Sequence, residues 1–170
     1  MKTIVISDIH GDIDALDKII YKMDKQDIDK LIVLGDFCSY DGSSDNIVKR
    51  INTIKKKMIC VKGNCDTDKF INDVGIDFAL YRNIRFGEYN ITITHGHVYN
   101  DYFLPPNCSN NLFMGHTHRK CLIKDDRVVA NPGSVAKPRD GVKSYIFIED
   151  DTVFLKDMDD NVIDSCNLVH

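Results

Sequence analysis

Three apolar runs rich in β-branched residues, "TIVIS" (3–7), "KLIVLG" (30–35) and "MICVKG" (58–63), alternate with two stretches of helical periodicity. Over 12–24 the apolar residues Ile13, Leu16, Ile19, Ile20 and Met23 follow the spacing of a helix with one buried face. Asp12 stands where an N-cap is expected. Over 44–57, Ile47, Ile51 and Ile54 repeat the pattern. Near-continuous apolar strands alternating with such helices predict a parallel sheet with helices packed on it through right-handed crossovers.

After residue 75 the pattern changes. "DFALY", "NIRFGEYNITITHGH" and "NLFMGHTH" read as short strands, and "KCLIKDDRVVANPGS" and "KSYIFIEDDTVFLKDMDDNVID" read as hairpins turning at paired aspartates. The second half is therefore expected to be mostly antiparallel. Two sheets packed face to face with helices outside, in a single domain over 1–170, is the expected α/β arrangement.

Each of five segments ends in a cluster of metal-binding residue types. These are Asp8 and His10 in "SDIHGD", Asp36 in "LGDF", Asn64 in "GNCD", His95 in "THGH", and His116 and His118 in "GHTH". All lie where a strand should give way to a loop, which is where ligands collect in open α/β sheets. In an extended segment, residues two apart point the same way, so Asp8 with His10, and His116 with His118, are each expected to aim two ligands into one site. Asp36 has two oxygens that could bridge two cations. Such mixed nitrogen and oxygen donors suit Mn²⁺, Fe, Zn²⁺, Co²⁺ or Ni²⁺ better than Ca²⁺ or Mg²⁺.

Charge supports the same chemistry. Two divalent cations, less two carboxylates and a bridging hydroxide, leave about one positive charge to attract a phosphate ester, and that hydroxide could attack phosphorus in line with the leaving alcohol.

Bulk properties exclude other classes. Net charge is −4, so no electrostatic footprint for long nucleic acid exists, and nucleotides or short ends are the most that is expected. No apolar run reaches the ~20 residues a membrane span needs. The six cysteines form no CxxC pair, which points to reduced thiols and a cytoplasmic protein. Edges of the antiparallel half could pair in a homodimer.

Taken in order, "SDIHGD", "LGDFCSYDG", "VKGNCD", "THGH" and "GHTH" resemble the motifs of the calcineurin-like metallophosphoesterases, and "NPGSVAKPR" (131–139) resembles their small YfcE-like phosphodiesterase branch. The resemblance implies a four-layer α/β/β/α sandwich of two mixed β-sheets flanked by helices. It further implies that Asp8, His10 and His118 hold one metal, that Asn64, His95 and His116 hold a second, and that Asp36 bridges them. The implied activity is hydrolysis of a small phosphodiester, with two divalent ions, Mn²⁺ the expected one. A phosphomonoesterase or nucleotide pyrophosphatase using the same centre is the alternative enzyme, and a Vps29-like protein-binding scaffold the alternative of another class.

Cys65 follows Asn64 where many members of the wider superfamily carry a histidine that assists the leaving group. The YfcE-like branch commonly has Cys or another residue there. Cys65 is read either as a catalytic acid or as a small residue filling space beside the metals. His97 either contacts the phosphate and protonates the leaving group, or orients a ligand. The helix usual between His97 and His116 is expected to be shortened to about "NDYFL". Asp66 is expected to anchor the "GNCD" turn, and Asn131, Gly133 and Ser134 to form a turn that could reach the site. Asp41 and Asp45 are expected to serve loop and cap roles.

Overall fold

A computed structural model describes residues 1–170. The chain runs β1 (Lys2–Ile6), α1 (Ile13–Lys25), β2 (Lys30–Val33), α2 (Asp45–Ile54), β3 (Met58–Cys60), α3 (Asp68–Val74), β4 (Tyr81–Phe86), β5 (Tyr89–Thr94), β6 (Asn111–Phe113), β7 (Lys120–Lys124), β8 (Val128–Pro132), β9 (Ser144–Glu149), β10 (Thr152–Asp157) and β11 (Val162–Asn167). Two mixed sheets result, one ordered β11-β10-β9-β1-β2-β3 and the other β4-β5-β6-β8-β7.

The first three strands are parallel, as their alternation with helices requires. The Asp12 carboxylate caps α1 by accepting the Ala15 N–H at 2.9 Å. Between α2 and β3 the basic run Lys55–Lys57 forms one 3-10 turn. The short helix α3 has no counterpart in the sequence reading; seven residues show too few turns for periodicity. Thr67 caps it and Gly75 ends it in the left-handed conformation.

All three helices pack on the outer face of the six-stranded sheet, where Ile4, Ile6, Leu31, Val33 and Phe70 share one core with Leu16, Ile19, Ile47 and Ile51. Val5, Ile32, Ile146 and Val153 face Ile91, Ile93, Phe113 and Ala130 in the second core, between the sheets. The outer face of the five-stranded sheet carries irregular chain instead of a helix. There Ser109 N–H donates to Thr92 Oγ1 at 2.8 Å, and Thr94 Oγ1–H donates to the Tyr99 carbonyl at 3.1 Å. The shortened helix expected at "NDYFL" (100–104) is a bend instead, in which Asn100 Oδ1 accepts the N–H groups of Tyr102 and Phe103, both at 3.0 Å.

Both hairpins turn as expected, β7 with β8 and β9 with β10. The mostly antiparallel second half is corrected in two ways. β5, β6 and β8 are parallel neighbours, because β6 is reached by a crossover. β9 pairs with β1 and carries β10 and β11 into the first sheet. No helix is long and apolar enough to cross a membrane.

Candidate metal centre

The five ligand-type clusters follow the carboxyl ends of β1, β2, β3, β5 and β6. The two sheets bring these ends together, and all seven candidate ligands converge.

The convergence does not arise from extended backbone. Asp8, His10, Asp36, His116 and His118 all have positive φ, at 56°, 44°, 56°, 66° and 56°. Each costs on the order of 1 kcal/mol for a residue with a Cβ. Asp8 and His10 reach one site because both take the left-handed turn, with buried Ile9 between them. Main-chain bonds hold the arrangement: the N–H groups of Ile9 and His10 donate to the Asp36 carbonyl at 2.9 and 3.0 Å.

One group of donors contains His10 Nε2 and His118 Nε2, 3.1 Å apart, with Asp8 Oδ1 3.2 Å from the latter. A second contains His95 Nε2, with Asn64 Oδ1 at 3.1 Å and His116 Nδ1 at 3.3 Å. Asp36 Oδ2 lies between them, 3.7 Å from His10 Nε2 and 3.5 Å from His95 Nε2. Ligands about 2.1 Å from a common cation stand roughly 3.0–3.5 Å from one another, so these spacings suit cations.

The chemistry of the donors fits as well. His95 and His118 donate Nδ1–H to the carbonyls of Leu34 and Lys137, both at 2.7 Å, which leaves each Nε2 free to face the site. Asp8 Oδ1 is buried without a hydrogen-bond partner. Burial opposes the Asp8 charge, but His10, His118 and His95 outweigh it, and the carboxyl is held well below the usual range. Burial likewise opposes charge on His95, and Asp36 reverses this, so His95 is raised. Asp8 is what raises His118.

Close packing restricts the surroundings. A Cβ on Gly63 would lie 2.1 Å from Asp36 Oδ1 and 2.2 Å from Asp36 N. Asp66 anchors more than its own turn. Its oxygens accept the N–H groups of Gly63, Asp36, Phe37 and Cys38 at 2.9, 3.0, 2.8 and 3.3 Å. Asn131 Nδ2–H donates to the Gly115 carbonyl, and Ser134 Oγ–H donates to the Asp8 carbonyl at 2.7 Å, so this turn does reach the site. Asp41 and Asp45 stay outside it, Asp41 accepting the Ser43 N–H and Asp45 opening α2.

The half-buried His97 ring stands beside the candidate ligands, 5.2 Å from His95 and 6.2 Å from His116 between centroids. Its Nδ1 is buried without a partner. Burial and the neighbouring His95 and His116 lower its pKa, so it is neutral near pH 7. Cys65 comes within ligand range of His10 and Asp36. Burial and the Asp36 and Asp66 carboxylates push its thiol up to about 12. Two rim residues escaped the sequence reading, Tyr40 and Lys137. A lone tyrosine and a lone lysine in loops carry no periodic signal, although Lys137 lies in the "NPGSVAKPR" segment.

Comparison with known proteins follows the same lines. The profile of the calcineurin-like phosphoesterase superfamily domain matches residues 1–152. Phosphodiesterase YfcE of Escherichia coli K12 is 27% identical over 177 aligned residues, covering 96% of this chain and 95% of its own. The solved structure of the E. coli phosphoesterase Yfce superposes with a TM-score of 0.90 at 26% identity, over 99% of this chain and 100% of that one. Vps29 of Cryptosporidium parvum superposes with a TM-score of 0.69 at 21% identity, over 98% of this chain and 97% of its own, a likeness of fold alone.

Proposed function

Because the chain belongs to the calcineurin-like phosphoesterase superfamily, we propose that it hydrolyses small phosphodiesters at a centre of two divalent cations. The observation that carries this reading is the position of Asp36 Oδ2 between two separate sets of donors, 3.7 Å from His10 Nε2 and 3.5 Å from His95 Nε2. Asp8, His10 and His118 would hold one cation, Asn64, His95 and His116 the other, and Asp36 both. When bound, the pair would supply Lewis acidity and a water acidic enough to attack phosphorus near neutral pH. Mn²⁺ suits this mixed nitrogen and oxygen donor set, with Fe, Ni²⁺, Co²⁺ and Zn²⁺ as alternatives.

The protein's own groups have separate tasks. The carbonyls of Leu34 and Lys137 orient His95 and His118. The Cys65 N–H, donating to Asp36 Oδ1 at 2.8 Å, aims that carboxylate. Neutral His97, whose ring stands beside His95 and His116, is assigned the hydrogen bond to the departing ester oxygen. Cys65, protonated and small, is assigned to filling space. The Asn64 amide holds its oxygen toward His95 at 3.1 Å while Nδ2 faces Cys65 Sγ at 3.4 Å. Free thiols at all six cysteines favour a cytoplasmic setting.

The test is release of nitrophenol from bis(p-nitrophenyl) phosphate and from p-nitrophenyl phosphate by chelator-stripped protein resupplied with Mn²⁺. Metal-dependent diester cleavage that exceeds monoester cleavage is the expected result. Preference for the monoester would assign a phosphomonoesterase, and cleavage of neither would overturn the reading.

A further inference from the structure

We propose that the diester cleaved here carries a second anionic group, and that the Lys137 ammonium, with Tyr40 and Arg139, binds it beside the His10–His118 edge. This rests on the phosphodiesterase reading and narrows its substrate class. Tyr40 is 62% exposed, yet its ring stacks on His10 with centroids 4.3 Å apart and planes inclined by 25°. Lys137 Nζ lies 4.4 Å from the centre of the same ring. An exposed lysine on a flexible stem rests over an aromatic face because the ring quadrupole attracts it. Tyr40 thus connects the candidate ligand His10 to a positive charge held at a defined place.

The main chain beneath that charge is fixed. Ser134 Oγ accepts the Lys137 N–H at 2.8 Å while donating to the Asp8 carbonyl at 2.7 Å. The Lys137 carbonyl accepts from His118 Nδ1 at 2.7 Å. The Arg139 N–H donates to the His118 carbonyl at 2.9 Å. Lys137 and Arg139 therefore project from a loop bonded to two of the ligand segments. Two nearby cations are neutralised, Lys120 by Asp140 at 3.1 Å and Lys143 by Asp12 at 3.2 Å, whereas Arg119, next to His118, has no such partner. Lys137 and Arg139 have no carboxylate partner. The single charge of a scissile diester would be met at the metal centre. Unpaired cations at its rim add affinity for charge elsewhere, a phosphate or carboxylate on one ester branch. No proton or bond transfer is asked of them, and Tyr40 is a positioning residue.

The test compares binding of thymidine 3′,5′-bisphosphate and thymidine 5′-phosphate by calorimetry on Mn²⁺-loaded protein. Wild type is expected to prefer the bisphosphate by roughly five-fold, the worth of one well-placed exposed ion pair. Lys137→Met and Tyr40→Leu should each bring the preference down to about two-fold or less, and Tyr40→Phe, which keeps the ring, should retain it. No preference in wild type, or one that survives Lys137→Met, overturns the proposal. A parallel assay follows nitrophenol release from thymidine 5′-(p-nitrophenyl phosphate) with and without a 3′-phosphate, the added charge being expected to lower KM with little change in kcat. Cleavage of both at equal kcat/KM overturns the second-anion site and leaves the phosphodiesterase reading intact. Cleavage of neither, with a binding preference that depends on Lys137, overturns the phosphodiesterase reading and keeps the anion site.

Discussion

Replacing Asp66 by Asn keeps size and shape but reverses half of the hydrogen-bond polarity, which isolates what this carboxylate does. Asp66 is 3% exposed. Its Oδ2 accepts the N–H groups of Asp36 and Gly63 at 3.0 and 2.9 Å, and Oδ1 those of Phe37 and Cys38 at 2.8 and 3.3 Å. Whichever way the amide of Asp66→Asn turns, its NH₂ confronts two N–H donors. Two buried donors left unmatched cost about 1–3 kcal/mol each. Burial of the wild-type charge offsets part of this, since it already pushes the Asp66 carboxyl up, and Asn carries no charge. A net loss of about 3 kcal/mol is expected, equivalent to a Tm lower by about 6–12 °C for a domain of this size. Urea unfolding of metal-free protein, followed by circular dichroism, measures it without counting lost metal twice. Because the same bonds fix the backbone of Asp36, Mn²⁺ content after gel filtration should fall as well. A metal-free loss below about 1 kcal/mol would refute the reasoning, since the four N–H groups would then have found other partners.

Asp36→Ala should remove most binding of both cations, measured as metal content per chain, and two tightly held ions in that variant would rule out its bridging role. Chelation of wild-type protein should lower Tm by about 5–10 °C, because a ligand at a hundred times its Kd contributes about 2.7 kcal/mol; an unchanged melt would mean that no cation is bound specifically. Gly63→Ala places a Cβ 2.1 Å from Asp36 Oδ1 and 2.2 Å from Asp36 N, so a loss of at least about 3 kcal/mol is expected on chemical denaturation. Gly75→Ala, with nothing within 4 Å, should cost only about 1 kcal/mol for its left-handed backbone; equal losses would discount the clash. Burial opposes the Asp12 charge, but the Ala15 N–H and Lys143 outweigh it, so the carboxyl titrates below its ordinary value. Its stabilisation is present above the unfolded pKa and is lost as pH falls through the folded one. The stability gap between wild type and Asp12→Asn should therefore close with acidification below about pH 4, and a gap that widened there would reverse the assignment.

The candidate ligands were legible because parallel strands announce their carboxyl ends. An apolar run followed at once by Asp, Asn or His marks the point where chain leaves the sheet, and all five such points lie on one side of the fold. What placed Asp8 beside His10 was not legible. The end of an apolar run predicts extended backbone, whereas φ values of 56° and 44° turn both residues left-handed, and nothing in "SDIHGD" requires that. The direction of β6 was hidden for a related reason: an apolar run of three residues reads alike whichever way it enters a sheet. The outward hairpins β7–β8 and β9–β10 were visible as pairs, but their assignment to different sheets depends on contacts far apart in sequence. Tyr40 and Lys137 meet across such a distance too.

The two candidate-ligand carboxylates divide their oxygens in the same way. Asp8 gives Oδ2 to the His116 N–H at 3.0 Å and turns Oδ1, unpartnered, to the site. Asp36 gives Oδ1 to the Cys65 N–H at 2.8 Å and turns Oδ2 to His10 and His95. One oxygen of each thus belongs to the fold and the other to the centre. Asp8, His10, Asp36 and Asn64 come from the first sheet, and His95, His116 and His118 from the second. Each proposed set of ligands draws on both, so a cation in either would join the sheets across the seam where His116 N–H meets Asp8. Five strained backbones and two desolvated carboxylates cost the protein several kcal/mol in one small region. That cost is hard to explain as scaffolding, since glycine and uncharged residues would form the same seam with less strain. It is explained if the centre is shaped for ligands that the chain itself does not provide.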